Sequence, residues 1–572
     1  MIRSRGAWAR WLVAALVLLL TWKTTWGVLG TFDLGFDDET IYLEAAHWAG
    51  KRFLPLADSS PLYPLWYRAL SYVEPDPVRL YFLNWFVLTA ALPALLYALA
   101  RRSGAPLAAA AAVAVAWSTS TAVTTWPFVS KFAAVVLCLG ALASTAIRDR
   151  RLAASVTVAA LALTAYARAE LTVPSFVFAG AVALHCLGVA VGTLRGPPTS
   201  ARRGERARSL LALAISVLVP LGLRRLFGDP HQGGRAFFAF GQHYALNVVE
   251  DRRLGVDPWT LWDRFAREAF PRATTIGEAL RENPAAFFWH VRRNLTTLPV
   301  AAAELVAPLR FVPRSLAAIV VLAVAVVVVA GACALVIRPS RLDRRLTAWL
   351  PLLAVVALTT VGSTLLVYPR EHYLLPLACL SLSALAAACA RLRWPSALRP
   401  RFWLGLPRVP RLAPSRRGAA LGPALLVSGL ALLGAALPTR RAALPSLLAS
   451  NEPAPPEVHD NLRTVELLRS LRLRGRVPIL EADHSRGVYA ELDFVRVAQW
   501  EKATSFWDFV HARQVAVVAI TWRLREDPRF RSDPEFVAFA DGTGEREDFQ
   551  LMPVPGTSVV LAVRASALAR RE

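Results

Sequence analysis

The chain has 572 residues, 55% of them hydrophobic and 19% charged, with 65 Lys+Arg against 41 Asp+Glu and five cysteines. A soluble domain averages about 45–50% apolar and about 25% charged. The mean hydropathy of +0.41 and the long uninterrupted apolar blocks mark a multi-pass membrane protein, and exclude disordered, collagen-like and disulfide-scaffold classes.

Membrane helices need about 20 apolar residues each. The blocks at 9–29, 80–100, 105–124, 127–147, 152–167, 171–193, 209–227, 315–337, 346–368, 373–390 and 418–437 predict about eleven of them. Arg3, Arg5 and Arg10 precede the first block. Basic clusters follow the second (Arg101, Arg102), fourth (Arg148, Arg150, Arg151), sixth (Arg195 to Arg208), eighth (Arg338 to Arg345) and tenth (Arg391 to Arg417). Basic residues at every even-numbered exit predict an amino terminus inside and a carboxyl terminus outside. The same placement accounts for the net charge of +24 without nucleic acid as a partner. The first block runs into Thr21-Trp22-Lys23 with no small-residue cleavage site, so it reads as a retained helix rather than a signal peptide. Lys131 is the only Lys well inside an expected span, so it is expected to face the bundle interior or stand at a span edge. The five cysteines all lie in apolar blocks, which leaves neither a disulfide framework nor a Cys-type zinc site.

Three outer stretches are too long for turns: 30–79, 228–314 and 438–572. The first two belong to a transmembrane domain over 1–437. The last reads as a separate extracytoplasmic α/β domain. It has strand-like runs at Val477–Leu480, Val515–Thr521 and Ser558–Val563, and helical patterns around Val458–Leu471 and Ser505–Arg513. No internal repeat, P-loop or dinucleotide fingerprint is present, which argues against an ATP-driven pump.

The most informative segment follows the first span. Asp37-Asp38-Glu39 leads directly into a helical stretch carrying Tyr42 and Glu44. Such acids can simply cap the helix, whose dipole favours them. A carboxylate beside the membrane surface can also act as general base on an acceptor hydroxyl, while its neighbour positions that acceptor or holds a divalent cation, Mg or Mn, through hard oxygen ligands. Downstream, Leu62, Leu65, Trp66, Ala69 and Leu70 share one face of an interfacial helix. In 228–314, His231, His243 and His290 lack metal-ligand spacing. Gly233-Gly234-Arg235, Gln242-His243-Tyr244 and Asn247 are candidates for an acceptor side, and Asn294-Leu295-Thr296 matches a glycosylation sequon.

Asp38-Glu39-Thr40-x-Tyr42-x-Glu44, followed by Pro61-Leu62-Tyr63, resembles the first outer loop of the membrane-embedded GT-C glycosyltransferases, and the protein O-mannosyltransferases and bacterial aminoarabinose transferases in particular. The order of parts is similar too: first span, acidic loop with juxtamembrane helices, helical bundle, C-terminal outer domain. Arg168-Ala169-Glu170 resembles the family's Arg-Pro-Glu turn with Ala for Pro, and Arg370-Glu371-His372-Tyr373-Leu374-Leu375-Pro376 its Arg-x-x-Tyr-Leu-Leu-Pro start of a late helix. One departure stands out: Asp58-Ser59-Ser60 keeps the acid but lacks the Lys that the aminoarabinose transferases place against the donor phosphate. A cation for that phosphate must then come from Arg370, Arg168, Lys51 or Arg52, although Arg370 is equally read as a snorkelling interfacial Arg.

The resemblance implies a glycosyltransferase of the bacterial inner membrane. It would use a polyprenyl-phosphate-linked sugar donor and an extracytoplasmic acceptor that is a lipid, glycan or protein of the envelope. It assigns Asp38 and Glu39 to catalysis, and Asp37, Tyr42, Glu44, Asp58, Tyr63, Arg168, Glu170, Arg370, His372 and Tyr373 to substrate binding. A transporter or flippase, or a polymerase or ligase, of lipid-linked saccharides is the alternative reading.

Overall fold

The computed structural model describes residues 2–25, 33–35, 38–52, 60–195, 199–230, 235–259, 261–309, 314–337, 343–389, 427–432, 460–473, 477–482, 486–495, 504–544 and 547–568. Asp37, Asp58, Gly233, Gly234, the Arg- and Pro-rich stretch 391–417 and the expected span 418–437 outside 427–432 lie beyond these residues, as do the side chains of Lys51, Arg52 and Arg235.

The chain is mostly helical and divides into two compact units. One comprises Met1–Val28, Leu56–Tyr63 and Phe86–Glu452; the other comprises Leu29–Pro55, Pro64–Trp85 and Pro453–Glu572. In chain order the helices up to residue 389 are α1 (Ile2–Thr25), α2 (Asp38–Arg52), α3 (Leu62–Ser71), α4 (Pro77–Arg102), α5 (Leu107–Ser118), α6 (Val129–Ala146), α7 (Arg150–Ala165), α8 (Thr172–Gly192), α9 (Ser200–Phe227), α10 (Arg235–Arg252), α11 (Trp262–Ala269), α12 (Ile276–Glu282), α13 (Pro284–Leu305), α14 (Arg314–Ile337), α15 (Arg344–Thr347), α16 (Leu350–Leu366) and α17 (Glu371–Cys389).

Among the described residues, five helical segments are long and apolar enough to cross a membrane: Pro77–Arg102, Val129–Ala146, Ala169–Gly192, Ser200–Phe227 and Glu371–Cys389. Shorter apolar helices cover Trp11–Lys23, Leu107–Ser118, Ala317–Cys333 and Leu350–Leu366. Val177, Leu184, Leu218 and Val329 are exposed on these helices, a surface suited to hydrocarbon rather than water. Inward, Val17, Leu96, Ala114, Leu137, Leu352 and Leu380 belong to one continuous core. Small residues set the closest approaches. A Cβ on Gly140 would collide with Ala160 of α7, and one on Gly331 with the Leu385 backbone of α17, so these helices pack backbone to backbone as membrane helices commonly do.

The structure differs from the sequence expectation between α5 and α6. The expected spans 105–124 and 127–147 become helices that stop at Ser118 and restart at Val129, with a 3₁₀ turn at Thr121–Val123 between them. Buried backbone groups left unpaired are costly, and here they find partners. Thr121 N donates to Ala307 O at 2.9 Å, and Leu309 N donates to Thr119 O at 2.9 Å. Lys131 is fully buried, and its Nζ donates to Val123 O at 2.6 Å and to Thr89 Oγ1 at 2.9 Å. The buried Lys thus closes the broken helix, at the inward-facing edge position that its cost predicts.

In the second unit a five-stranded sheet has the order β2-β1-β3-β5-β4, with β1 Pro478–Leu480, β2 Asp493–Val495, β3 Val517–Ile520, β4 Phe549–Pro553 and β5 Val560–Arg564. β2, β1 and β3 run parallel, while β5 pairs antiparallel with β3 and β4. Alternation sends Leu480, Val518, Ile520 and Ala562 to a face packed by Phe506, Phe509, Phe536 and Phe539. Ile479, Val517, Leu561 and Val563 face the other side, against Leu468 and Leu471 of helix Asp460–Ser470 and its end. A small α/β fold covered on both faces is the result.

Candidate functional site

In the second unit, α2 opens with Asp38 and Glu39 in its first turn, where the helix dipole stabilises negative charge. The two neighbours have opposite environments. Asp38 is exposed, whereas Glu39 has no exposed surface. Glu39 Oε1 accepts from Tyr67 Oη at 2.5 Å and from Asn84 Nδ2 at 3.3 Å. Asn84 is itself oriented by Trp66 Nε1, which donates to its Oδ1 at 2.8 Å. The amphipathic α3 that carries Trp66 and Tyr67 therefore supplies a donor to the acid. Tyr42 is buried and Glu44 half-buried on α2. Thr40 Oγ1 donates to Tyr489 Oη at 3.5 Å. Burial pushes the Tyr489 phenol well above its ordinary range, and the Glu39 charge adds to that push.

A basic and aromatic centre lies in the first unit. Arg168 stands in the turn between α7 and α8. Its Nε donates to Glu170 Oε1 at 2.6 Å, its Nη1 to Ser130 Oγ at 2.7 Å, and its guanidinium lies 4.7 Å over the Tyr373 ring. Arg370, just before α17, lies 4.7 Å over the Trp259 ring. It has no carboxylate within ion-pair distance among the described residues. His372 is buried and in edge contact with Tyr373 at 4.2 Å. Tyr63 is fully buried against Phe132, at a ring separation of 5.3 Å. The structure thus brings Arg168 together with Glu170 and Tyr373, sets His372 against Tyr373, and places Tyr63 in core packing.

His243, a candidate for the acceptor side, belongs to this basic centre. Its ring stacks on Tyr368 at 5.6 Å and meets Trp259 edge-on at 5.4 Å. Nδ1 is 2.7 Å from Ala239 O. A carbonyl only accepts, so the proton sits on Nδ1, and Nε2 is left as a buried acceptor with no partner among the described residues. Burial, with the Arg370 charge second, lowers the His243 pKa to about 3. Tyr368 Oη lies 3.4 Å from both Glu250 carboxylate oxygens, and burial with that carboxylate raises its pKa to about 12. Trp259 and Tyr368 carried no signal in the sequence beyond their aromatic character.

Asn247, also considered for the acceptor side, is fully buried in an amide–imidazole network. Its Nδ2 lies 2.9 Å from His290 Nδ1 and donates to Asn294 Oδ1 at 2.8 Å. Asn294 Nδ2 donates to Leu365 O and Val367 O at 2.9 and 3.2 Å. The sequon Asn is therefore a buried strut between α13 and the end of α16, closed to modification. Among the described residues no group of three His, Cys, Asp or Glu side chains is placed to hold a metal ion. No protein-family model and no curated protein matches the chain.

Proposed function

We propose that the protein is a GT-C-like membrane glycosyltransferase that moves a sugar from a polyprenyl-phosphate donor to an extracytoplasmic acceptor hydroxyl, with inversion, at the bacterial inner membrane. The observation that carries this reading is the unequal acid pair at the start of α2: an exposed Asp38 beside a Glu39 enclosed by a phenol and an amide. A general base must reach its substrate, and Asp38 is the carboxylate of the pair that can. Glu39, enclosed by Tyr67 and Asn84, holds the helix start and so the backbone that carries Asp38.

In the reaction the acceptor oxygen attacks the anomeric carbon as its proton passes to Asp38. The bond from that carbon to the phosphate oxygen breaks, and polyprenyl phosphate leaves with the bonding pair. Charge growing on the leaving phosphate is offset by a guanidinium. Within the first unit, Arg370, with no acid partner among the described residues, is a candidate cation for a phosphate, and Arg168 is a second one that Glu170 partly neutralises. A phosphate leaves without protonation, so no second acid is required, unlike in a two-carboxylate hydrolase.

The test uses the purified protein, a radiolabelled polyprenyl-phosphate sugar and a membrane extract. Asp38→Asn should lower transfer by about 10²–10⁴-fold. It should cost stability by less than about 1 kcal/mol, since Asn also caps helices. Full transfer by a normally expressed Asp38→Asn protein would overturn the reading. Movement of the donor across the bilayer without transfer would favour the flippase alternative.

A further inference from the structure

The C-terminal α/β domain received no role from its sequence, yet its helix Asp460–Ser470 grips the segments on both sides of the acid-bearing α2. At its amino-terminal end the cap comes from far away in the chain. Asp33 Oδ2 accepts from Asn461 N, and Asp33 Oδ1 accepts from Leu462 N, both at 2.8 Å. These are the unpaired first-turn N–H groups that a capping side chain normally satisfies. Asn461 Nδ2 donates back to Leu34 O at 2.9 Å. Gly35 N donates to Tyr81 Oη at 2.9 Å, so the three residues Asp33–Gly35, which end three positions before Asp38, are held at both ends.

Near the other end of the same helix, Arg469 Nη1 donates to Asp76 Oδ2 at 2.6 Å, just ahead of α4. Its Nε and Nη2 donate to Tyr489 O at 3.0 and 2.7 Å. The hydroxyl of Tyr489 is the one that meets Thr40, the residue after Glu39. Behind Asn461, Arg486 Nη2 donates to Asn461 Oδ1 at 2.8 Å, and buried Arg486 pairs with buried Glu481 at 3.3 Å. Asn461 and Arg469 stand about 12 Å apart along the helix axis at a rise of about 1.5 Å per residue. The helix therefore acts as a rigid ruler between Asp33, before α2, and Asp76, after α3.

We infer that the C-terminal domain is a positioning device for the acid pair, and that Asn461, Arg469 and Tyr489 set where the Asp38 carboxylate stands. The inference rests on the transferase reading and adds a role for the outer domain. Its residues hold the start of α2 in register; they touch neither donor nor acceptor.

The test measures kcat and donor KM in full-length protein in nanodiscs for Arg469→Ala, Arg469→Lys, Tyr489→Phe and Asp38→Asn. Arg469→Ala should lower kcat about 10- to 100-fold, the cost of a shift near 1 Å at the reacting group, with donor KM changed by less than about twofold. Arg469→Lys keeps a charge for Asp76 but lacks the fork that also holds Tyr489 O, so it should recover only part of the rate. Tyr489→Phe keeps the buried ring and should lower kcat by a smaller factor. Unchanged kcat in both Arg469→Ala and Tyr489→Phe, with Asp38→Asn inactive, would overturn this inference and leave the transferase reading standing. A fully active Asp38→Asn would overturn that reading instead. Should Arg469→Ala fail to accumulate, Tyr489→Phe decides, and an unaltered kcat there overturns the inference.

Discussion

The two polar centres of the molecule are built on opposite principles. At the start of α2, Glu39 is enclosed and held by a tyrosine hydroxyl and an asparagine amide, while Asp38 beside it stays exposed. Around Arg370 the guanidinium lies on an aromatic face, and the nearby imidazole of His243 is kept neutral. The first centre encloses one carboxylate with neutral donors and leaves its neighbour exposed. The second keeps the His243 ring uncharged, so that positive charge there resides on the arginines. An anion would therefore find its complement at the second centre, while the first leaves one carboxylate open to solvent.

Removing Arg370 is the strongest way to break that contrast. A charge-assisted hydrogen bond contributes about 1.5–3 kcal/mol, so Arg370→Ala should lower kcat/KM for the donor by roughly 10- to 150-fold. Arg370→Lys should recover only part of this, because the ammonium lacks both the planar stacking on Trp259 and the paired donors. Steady-state kinetics over a donor titration decides it. A wild-type kcat/KM in Arg370→Ala would place the phosphate contact elsewhere.

Acid should strike the first unit through its buried imidazoles. In the folded protein the pKa of His243 is lowered to about 3 and that of His290 to about 4, both from an ordinary 6.5, chiefly by burial. The unfolded chain takes up these protons near pH 6.5 while the folded chain does not. Stability is therefore complete above about pH 6.5 and falls as pH drops toward the folded values. Each ring should cost about 2 kcal/mol between pH 6.5 and 5. Thermal unfolding in detergent at the two pH values should show that loss, and His243→Asn should remove about half of it. Equal midpoints at both pH values would mean that the rings charge freely in the fold.

Much of this architecture was legible in the chain, and the illegible parts share a cause. Five of the expected apolar blocks, 80–100, 127–147, 171–193, 209–227 and 373–390, fall on described helices long and apolar enough to cross a membrane, because 20 consecutive apolar residues have few other uses. The runs at Val477–Leu480 and Val515–Thr521 contain β1 and β3, and Ser558–Val563 covers all of β5 but its last residue, Arg564, since β-branched residues fill a buried sheet. β2 is three residues long and β4 begins Phe549-Gln550 and ends in Pro553, so neither forms an apolar run. The break between α5 and α6 was written in Ser118-Thr119-Ser120-Thr121 and Pro127, but apolar flanks conceal it in any long window. For the site, local pattern located Asp38 and Glu39 without telling them apart. What separates them is Tyr67 and Asn84, 28 and 45 residues from Glu39. Likewise, the neutral state of His243 depends on Trp259, Tyr368 and Arg370, which folding alone brings to it.

The finest test of the contrast concerns Glu170, the acid within the basic centre. Its carboxylate takes Arg168 Nε at 2.6 Å, with side-chain exposures of 30% for the acid and 11% for the arginine. Part-exposed pairs of this kind contribute about 0.2–1 kcal/mol, so Glu170→Gln should barely alter thermal stability. It should also leave Arg168 more fully positive, still oriented by Ser130 and the Tyr373 ring. Donor KM should then fall by about fivefold or less, the kinetic equivalent of that energy. A rise in KM would give Glu170 the opposite part: its carboxylate would be aiming the guanidinium at the ligand, and the orientation so lost would outweigh the charge gained.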